Sequence, residues 1–221
     1  MHILAPHGHG SNDNFKLLGV NFDSGLTMES EIQQLVGNVR WKNQTILRCQ
    51  CFFCTYDLIN VYKSQVLSYI EYRTPGIYHA CNSHLDRLDA TQTRFLKEFG
   101  VSETEALMNF GLAPLRLRRD IAMLGVIHRS VLGKGPPQFQ ELFQRADASA
   151  PTRATRQSAQ RHNKQLVDVR DGRFLEVLRR SAFGLIAIYN MLPQTIVDEE
   201  TVCGFQRCLQ EMAKTRSCCG E

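Results

Sequence analysis

A chain of 221 residues, of which 43% are hydrophobic and 22% charged, is long enough to bury one substantial core and has an ordinary globular composition. No apolar run approaches the ~20 residues that span a bilayer, and residues 1–10 lack the basic and apolar regions of a signal peptide. Eight cysteines in such a chain favour reduced thiols over a disulfide scaffold. We therefore expect a nuclear or cytoplasmic protein without membrane contacts, not a secreted one.

The formal charge of +4 is modest, but the basic residues are unevenly distributed. One cluster consists of Arg116, Arg118 and Arg119. Between Arg145 and Lys164, five basic residues accompany a single acidic one. Such clusters fit a polyanionic partner, although solvated basic faces are equally common.

In chain order, residues 1–14 are rich in His, Gly and Asn and predict a loose lead-in. Residues 15–22 predict one short buried strand, or a hairpin, in which Gly19 lets another backbone approach closely. Residues 23–25 predict a turn, with Asp23 as a turn or cap residue.

A series of amphipathic helices follows. The first should begin near Thr27 or Ser30, because Ser30 and Gln33 have the spacing of a capping box and apolar residues follow at helical spacing. Further helices are predicted over residues 56–72, 83–99, 103–110, 114–132, 139–143, 173–192 and 198–214, with breaks at Pro75-Gly76, Gly100, Gly111, residues 133–137 and Pro193.

These elements predict a mainly α fold: a helical bundle preceded by a short β-strand or hairpin. Residues 1–26 would contain the lead-in and the strand, and residues 27–145 the main helical domain. Residues 146–172 lack hydrophobic periodicity and predict a basic flexible linker. Residues 173–221 would form a C-terminal helical segment.

The order of the segments carries a resemblance to a known family. In order and spacing, three segments resemble the palm end and helical thumb of reverse transcriptases from LINE-type (non-LTR) retrotransposons. They are residues 15–23 (FKLLGVNFD), 60–72 (NVYKSQVLSYIEY) and 85–97 (LDRLDATQTRFLK). Shorter matches at residues 106–107, 112–115 and 118–120 extend it. The resemblance covers about residues 15–143 and, weakly, 174–221, so it implies a thumb-like bundle over residues 27–145.

The resemblance implies a fragment whose parent is an RNA-directed DNA polymerase that holds primer and template with these helices. In that family carboxylates, usually in an aromatic-x-Asp-Asp motif, hold two Mg²⁺ ions upstream of the hairpin. This chain has no two adjacent aspartates. We therefore expect no catalytic residue, no cofactor in this chain, and no polymerase activity from it alone; Mg²⁺ would serve only the intact parent.

Primer-grip roles carry over from the family to Lys16, Leu18 and Gly19. Glycine lets a phosphodiester backbone come close, and lysine adds affinity through counterion release; the alternative is that the hairpin only packs on the helices. Trp41 is a candidate for base stacking, although a lone tryptophan on such a helix is more often buried. Further predicted contacts to an RNA or DNA primer–template are Arg40, Lys42, Lys63, Arg116, Arg118 and Arg119, with weak, unselective binding by Arg153, Arg156, Arg161 and Lys164.

Zinc binding is a weaker hypothesis. Cys51 and Cys54 form a Cys-x-x-Cys pair, and His79 and Cys81 would complete a tetrahedral set. Both residues between the paired cysteines are phenylalanines, and a buried free cysteine behaves as a small apolar side chain. We therefore expect no metal site.

A second hypothesis comes from a different functional class. The chain would be a helical protein-interaction module without a nucleic-acid role, and its basic residues would simply be solvated. A salt-dependent gel shift with an RNA–DNA hybrid separates the two hypotheses, because phosphate contacts strengthen at low salt.

Overall fold

The computed structural model describes residues 14–146, 162–168 and 175–218. Over these residues the chain is mainly helical with a two-stranded antiparallel hairpin at its N-terminal end, which confirms the predicted fold class. Within the described ranges, no helix combines the length and the apolar character needed to cross a membrane. The predicted lead-in up to residue 13 and linker residues Arg153, Arg156 and Arg161 lie outside the described residues.

The hairpin pairs β1 (Phe15–Leu17) with β2 (Val20–Phe22). Leu18 and Gly19 form its two-residue turn with φ of 49° and 81°, the left-handed values that match hairpin twist. Among the described residues, no atom lies within 4 Å of the position that a Cβ of Gly19 would occupy. Gly19 therefore allows the left-handed conformation of the turn and is not required for close packing within the chain. The prediction of one buried strand is wrong, because only Val20 is buried.

The first hydrophobic core is built from helices of the N-terminal half. They are α1 (Glu29–Arg48), α2 (Thr55–Tyr62), a π-helical segment (Lys63–Leu67), α3 (Ser68–Ile77), α4 (Asn82–Glu98) and α5 (Glu103–Phe110). The segments from residue 55 to residue 77 follow one another without a break. At the centre of this core the buried rings of Tyr62 and Phe95 stack with centroids 4.4 Å apart.

The start of α1 differs from the prediction. Its N-cap residue is Met28, with φ of 60°, and Ser30 lies inside the helix. Asp23 performs the capping instead: its carboxylate accepts hydrogen bonds from the backbone N–H groups of Thr27 (2.9 Å) and Met28 (2.8 Å), which confirms it as a turn and cap residue. Desolvation acts to raise the pKa of Asp23, but these hydrogen bonds outweigh it and the pKa is lowered.

The helix predicted over residues 56–72 extends farther than expected, because α3 continues through Pro75-Gly76 to Ile77. An interior proline disrupts a helix, yet Thr74 and Ile77 on either side of Pro75-Gly76 are both buried, and Ile77 packs in the first core. Gly76 has a packing role: an added Cβ would lie 3.1 Å from Val20 Cγ1 and 3.4 Å from Phe22 Cζ. The close approach expected at Gly19 therefore occurs at Gly76, where β2 rests on α3.

A second core brings α6 together with the C-terminal part of the chain. Leu115, at the start of α6, belongs to the first core, whereas Ile121 to Val131 belong to the second. The elements of this half are α6 (Leu115–Val131), α7 (Pro137–Leu142), α8 (Leu175–Arg180), a 3₁₀ turn (Ala182–Leu185), α9 (Ile186–Asn190), α10 (Gln194–Val197) and α11 (Val202–Cys218). Because α6 contributes to both cores, residue 145 does not mark a boundary between them.

The single helix expected over residues 173–192 is interrupted at Ser181. The Ser181 hydroxyl accepts a hydrogen bond of 3.3 Å from the Phe183 N–H, which caps the 3₁₀ turn. Gly184 lies so close to the carbonyl group of Arg179 that a Cβ at this position would overlap it. The prediction missed this break because it depends on a contact between backbone groups, which apolar periodicity does not show.

Part of the predicted flexible linker is packed onto the second core. His162 and Leu166 are buried, and Leu166 forms an isolated antiparallel bridge with Arg145. The Asn190 side chain accepts from the Leu166 N–H and donates to the Leu166 carbonyl oxygen, each at 2.9 Å. Residues 162–168 are therefore structured, which corrects the linker prediction over this range.

Candidate nucleic-acid interface

The exposed side of α1 carries a set of residues that the hydrophobic core does not require. We call it the amide face; it consists of Gln33, Gln34, Gly37, Asn38, Arg40, Trp41, Gln44 and Arg48. The acidic residues of α1 are confined to its first turn, and residues 32–48 contain none. A surface of amides and arginines without carboxylates offers hydrogen-bond donors to a polyanion and no like charge to repel it.

Gly37 lies in the middle of α1 and on this face. Among the described residues, nothing lies within 4 Å of its would-be Cβ, so no packing contact requires a glycine there. A glycine inside a helix costs about 0.5–1 kcal/mol relative to alanine. Packing within the described residues therefore does not explain Gly37, and the helix backbone is open to the surroundings at this position.

Trp41 lies one helical turn after Gly37 and is 68% exposed. The expectation that this tryptophan is buried is therefore wrong. The apolar side of α1, which faces the core through Ile32, Leu35 and Val39, does not include it. An exposed indole beside an open helix backbone is available for stacking on a base or a sugar.

Arginines line the groove between α1 and α4. Arg40 lines two cavities between these helices. One has a volume of about 390 Å³ and is also lined by Arg87 and Glu29; the other has a volume of about 170 Å³ and is also lined by Arg94 and Glu98. We call the two cavities together the α1–α4 groove. Sequence reasoning missed Arg87 and Arg94, because their place beside Arg40 depends on how α4 packs against α1.

Asn43 also lines this groove and is buried. Its Nδ2 donates to the Thr91 carbonyl oxygen at 3.3 Å, which fixes the orientation of the amide. Its Oδ1 has no hydrogen-bond partner among the described residues. This acceptor is open to a hydrogen-bond donor in the groove, whether water or a ligand.

The structure places two of the predicted primer-grip residues beside the amide face. Lys16 and Gly19 line a small cleft of about 70 Å³ together with Gln34 and Asn38 of α1. Leu18 forms the tip of the hairpin and is 78% exposed. Its carbonyl oxygen accepts a hydrogen bond of 2.8 Å from the hydroxyl of Tyr72, so the turn is tied to α3.

Lys42 lies at the border of the amide face. Its Nζ is 5.1 Å from the centre of the Tyr69 ring, and the Arg73 guanidinium lies 3.9 Å from the same centre. The Tyr69 hydroxyl also accepts a hydrogen bond of 3.0 Å from Asn38 Nδ2. These contacts hold the Lys42 ammonium group in place while leaving the side chain half-buried.

The remaining predicted basic residues do not form a surface patch. Lys63 Nζ donates to the Phe110 carbonyl oxygen and so connects the end of α5 to the π-helical segment between α2 and α3. Arg118 binds Glu71 at 2.5 Å. The buried Arg119 holds Asp89 with two hydrogen bonds, of 2.5 and 2.8 Å. These three side chains connect helices, because Lys63 contacts the end of α5, Arg118 contacts Glu71 of α3 and Arg119 contacts Asp89 of α4.

Two other predicted basic residues lie elsewhere. Arg116 is exposed but lines a different cleft, next to α8. Lys164 donates from Nζ to the Val197 carbonyl oxygen at 2.7 Å and lies 3.7 Å from Asp198. Lys164 therefore anchors residues 162–168 to α10.

The four zinc candidates are not brought together. Cys51 and Cys54 precede α2, whereas His79 and Cys81 follow α3, and the helix between them is about 34 Å long at about 1.5 Å per residue. Cys54 donates to Asp57 at 3.0 Å, and His79 Nε2 lies 3.0 Å from the Leu26 carbonyl oxygen. A hydrogen bond from Ser83 lowers the pKa of the Cys81 thiol. Across the described ranges, no three His, Cys, Asp or Glu residues form a group able to hold a metal ion.

Comparisons of the chain with protein-family models, with curated proteins and with solved structures gave no significant match. The interpretation of the amide face and the α1–α4 groove therefore depends on their geometry and charge.

Proposed function

We propose that this chain is a nucleic-acid-holding module of the thumb type, resembling the palm end and thumb of a non-LTR retrotransposon reverse transcriptase. The amide face of α1 would contact the sugar–phosphate backbone of a primer–template duplex. The observation that carries this proposal is the combination, on one exposed helix face, of amides, arginines, an unpacked Gly37 and an exposed Trp41 without any carboxylate.

Each group has a physical role in this proposal. Arg40, Arg87 and Arg94 would pair with phosphates and release counterions. The amides would donate to phosphate and sugar oxygens, which positions a duplex without reading its sequence. Lys16 would add a further cation from the hairpin side, and Gly37 would let the backbone of the duplex lie against α1.

Polymerase chemistry is no part of the proposal for this chain alone. The carboxylates and Mg²⁺ that drive nucleotidyl transfer would belong to the intact parent enzyme. We place the module in the nucleus or the cytoplasm, where RNA and DNA are accessible to it.

The direct test is fluorescence anisotropy of a labelled RNA–DNA hybrid titrated with the full chain between ~50 and ~300 mM salt. Phosphate contacts from the three arginines predict a slope of log affinity against log salt of about −2 to −3, and a contact from Lys16 would make the slope steeper. Hybrids of unrelated sequence should bind equally. No binding at ~50 mM salt, where phosphate contacts are strongest, would rule the proposal out.

A second candidate function, a helical protein-interaction module, is favoured by one observation. Phe52, Phe53 and Tyr56, around the start of α2, are 79%, 56% and 60% exposed. Grouped exposed aromatics of this kind typically mark protein interfaces. If this is the function, hybrids do not bind, and sedimentation velocity shows a concentration-dependent association that F52S combined with F53S abolishes.

A further inference from the structure

The smaller cavity of the α1–α4 groove, of about 170 Å³, has a floor of buried residues and a rim of exposed ones. Asn43, Thr91 and Phe95 form its floor, and Arg40, Arg94 and Glu98 lie on its rim. The Phe95 ring stacks on the buried ring of Tyr62, so the first core holds this floor in place.

The unpaired group in this floor is a hydrogen-bond acceptor. The Asn43 side chain is buried, and its Nδ2 donates to the Thr91 carbonyl oxygen at 3.3 Å. A flipped amide would place Oδ1 against that carbonyl oxygen, so Oδ1 is the atom that lacks a partner among the described residues. The Thr91 hydroxyl does not serve Oδ1, because it donates to the Leu88 carbonyl oxygen at 2.7 Å. A group that pairs with Oδ1 must therefore be a donor.

The charges on the rim are available to a ligand. Arg40, Arg94 and Glu98 form no hydrogen bond or ion pair with another described residue. The two guanidinium groups can pair with phosphates outside the cavity. The Glu98 carboxylate disfavours a phosphate inside the cavity and, like Asn43 Oδ1, accepts hydrogen bonds. Phosphates on the rim with an uncharged donor between them match a sugar within a nucleic-acid strand.

We propose that this cavity holds a ribose of the RNA strand, whose 2′-hydroxyl donates to Asn43 Oδ1 while Arg40 and Arg94 bind the flanking phosphates. The inference rests on the proposed function, since it names the strand that the α1–α4 groove contacts. The 2′-hydroxyl distinguishes RNA from DNA, and A-form helices display it in a wide, shallow minor groove. The exocyclic amino groups of the bases are donors too, but base pairing engages them in a duplex.

The test removes the 2′-hydroxyls without changing the shape of the hybrid. An RNA–DNA hybrid is compared with the same hybrid whose RNA strand carries 2′-fluoro groups, which keep the A-form sugar geometry but cannot donate. Fluorescence anisotropy with the full chain at ~50 mM salt measures both affinities. Loss of one hydrogen bond to a buried acceptor predicts about three- to tenfold weaker binding of the 2′-fluoro hybrid.

Variants assign this preference to the cavity. N43L removes the acceptor but also deprives the Thr91 carbonyl oxygen of its donor, so urea unfolding checks that the variant folds. A90L keeps Asn43 and replaces an exposed alanine of the cavity lining with a larger side chain that suits a helix and covers the floor. The control N60L adds the same leucine at an exposed residue of α2 that does not line the cavity.

The expected result is that the unchanged chain and N60L prefer the 2′-hydroxyl hybrid by about three- to tenfold, whereas N43L and A90L bind both hybrids equally. If N43L does not fold, A90L decides. A preference that persists in A90L, or in folded N43L, overturns the inference.

The two proposals fail in different ways. Equal binding of both hybrids by the unchanged chain, as expected if water alone occupies the cavity, overturns this inference and leaves the proposed function standing. Binding of neither hybrid overturns both.

Discussion

At the scale of single residues, two buried histidines at the centre of the second core have fixed proton positions. His128 Nε2 donates to the Glu199 carbonyl oxygen at 2.8 Å, so its Nδ1 accepts from the Tyr189 hydroxyl at 3.0 Å. His162 Nε2 donates to the Tyr189 carbonyl oxygen at 3.0 Å, and its Nδ1 accepts from the Lys164 N–H at 3.1 Å. Each ring is therefore neutral, and burial lowers the pKa of both.

These histidines predict how stability depends on pH. A folded-state pKa below the ordinary value of about 6.5 means that the unfolded chain takes up protons first as the pH falls. Their stabilising contribution is complete above about pH 6.5 and is lost as the pH falls from there through the lower pKa of the folded state. The free energy of unfolding, measured with urea, should therefore decrease from pH 7.5 to pH 5.5.

The variant H162N identifies the source of this pH dependence. It removes one of the two titrating groups, so its free energy of unfolding should change less steeply over the same pH range, although the variant is less stable at pH 7.5. An identical slope in H162N and the unchanged chain would exclude His162 as a contributor.

At the scale of elements, strongly periodic helices and their local caps could be predicted from the sequence. Gly111 ends α5 at the predicted break and adopts the left-handed conformation, and the Ser102 hydroxyl caps the start of α5 by accepting from the Glu105 N–H at 3.1 Å. Errors arose where a boundary depends on distant residues. The predicted capping box at Ser30 was wrong because Asp23, which lies before the helix, caps the start of α1, and the break after α8 depends on the contact between Gly184 and Arg179.

Mid-helix glycines show which elements face a packing partner. Gly125 in α6 faces α11, because a Cβ there would lie 2.5 Å from Gln206 Nε2 and 3.2 Å from Val202 Cγ1. Gly37 in α1 has no such neighbour among the described residues. The two glycines therefore have different surroundings: Gly125 packs against α11, whereas Gly37 lies on an open surface.

This contrast predicts that replacing glycine with alanine changes the free energy of unfolding by different amounts at the two positions. G37A should raise the free energy of unfolding by about 0.5–1 kcal/mol, because alanine restricts the unfolded chain and clashes with nothing. G125A should gain less, because its Cβ crowds α11. Urea unfolding of the two variants measures the difference.

Binding provides the second half of this prediction. The variant G37Q introduces a residue that favours helices, so the chain should remain stable. Its long side chain fills the space above α1, so G37Q should bind an RNA–DNA hybrid at least about fivefold more weakly. The variant G37A adds only a methyl group and should bind nearly as well as the unchanged chain. Equal binding by all three chains would show that nothing lies against Gly37.

At the scale of the whole molecule, the two cores are joined through α6, and the amide face belongs to the first of them. From the sequence, Lys16 was a candidate as a primer-grip position of the family, and Arg40 was a candidate as a basic residue beside Trp41. The sequence did not predict Arg87 and Arg94, because only the packing of α4 against α1 places them along one groove. It also grouped Arg118 and Arg119 with Arg116, although the first two pair with acids on other helices.

The central claim is that the α1–α4 groove holds nucleic acid, and a matched pair of double variants tests it most directly. R87Q/R94Q removes two exposed arginines from α4, and R207Q/R216Q removes two exposed arginines from α11. The affinity for an RNA–DNA hybrid is measured by anisotropy across a salt series. We predict that R87Q/R94Q binds the hybrid at least about tenfold more weakly at ~50 mM salt. Its slope of log affinity against log salt should be smaller in magnitude by about 1.8. The control R207Q/R216Q should keep the affinity and the slope of the unchanged chain. Equal losses in the two variants would contradict the claim.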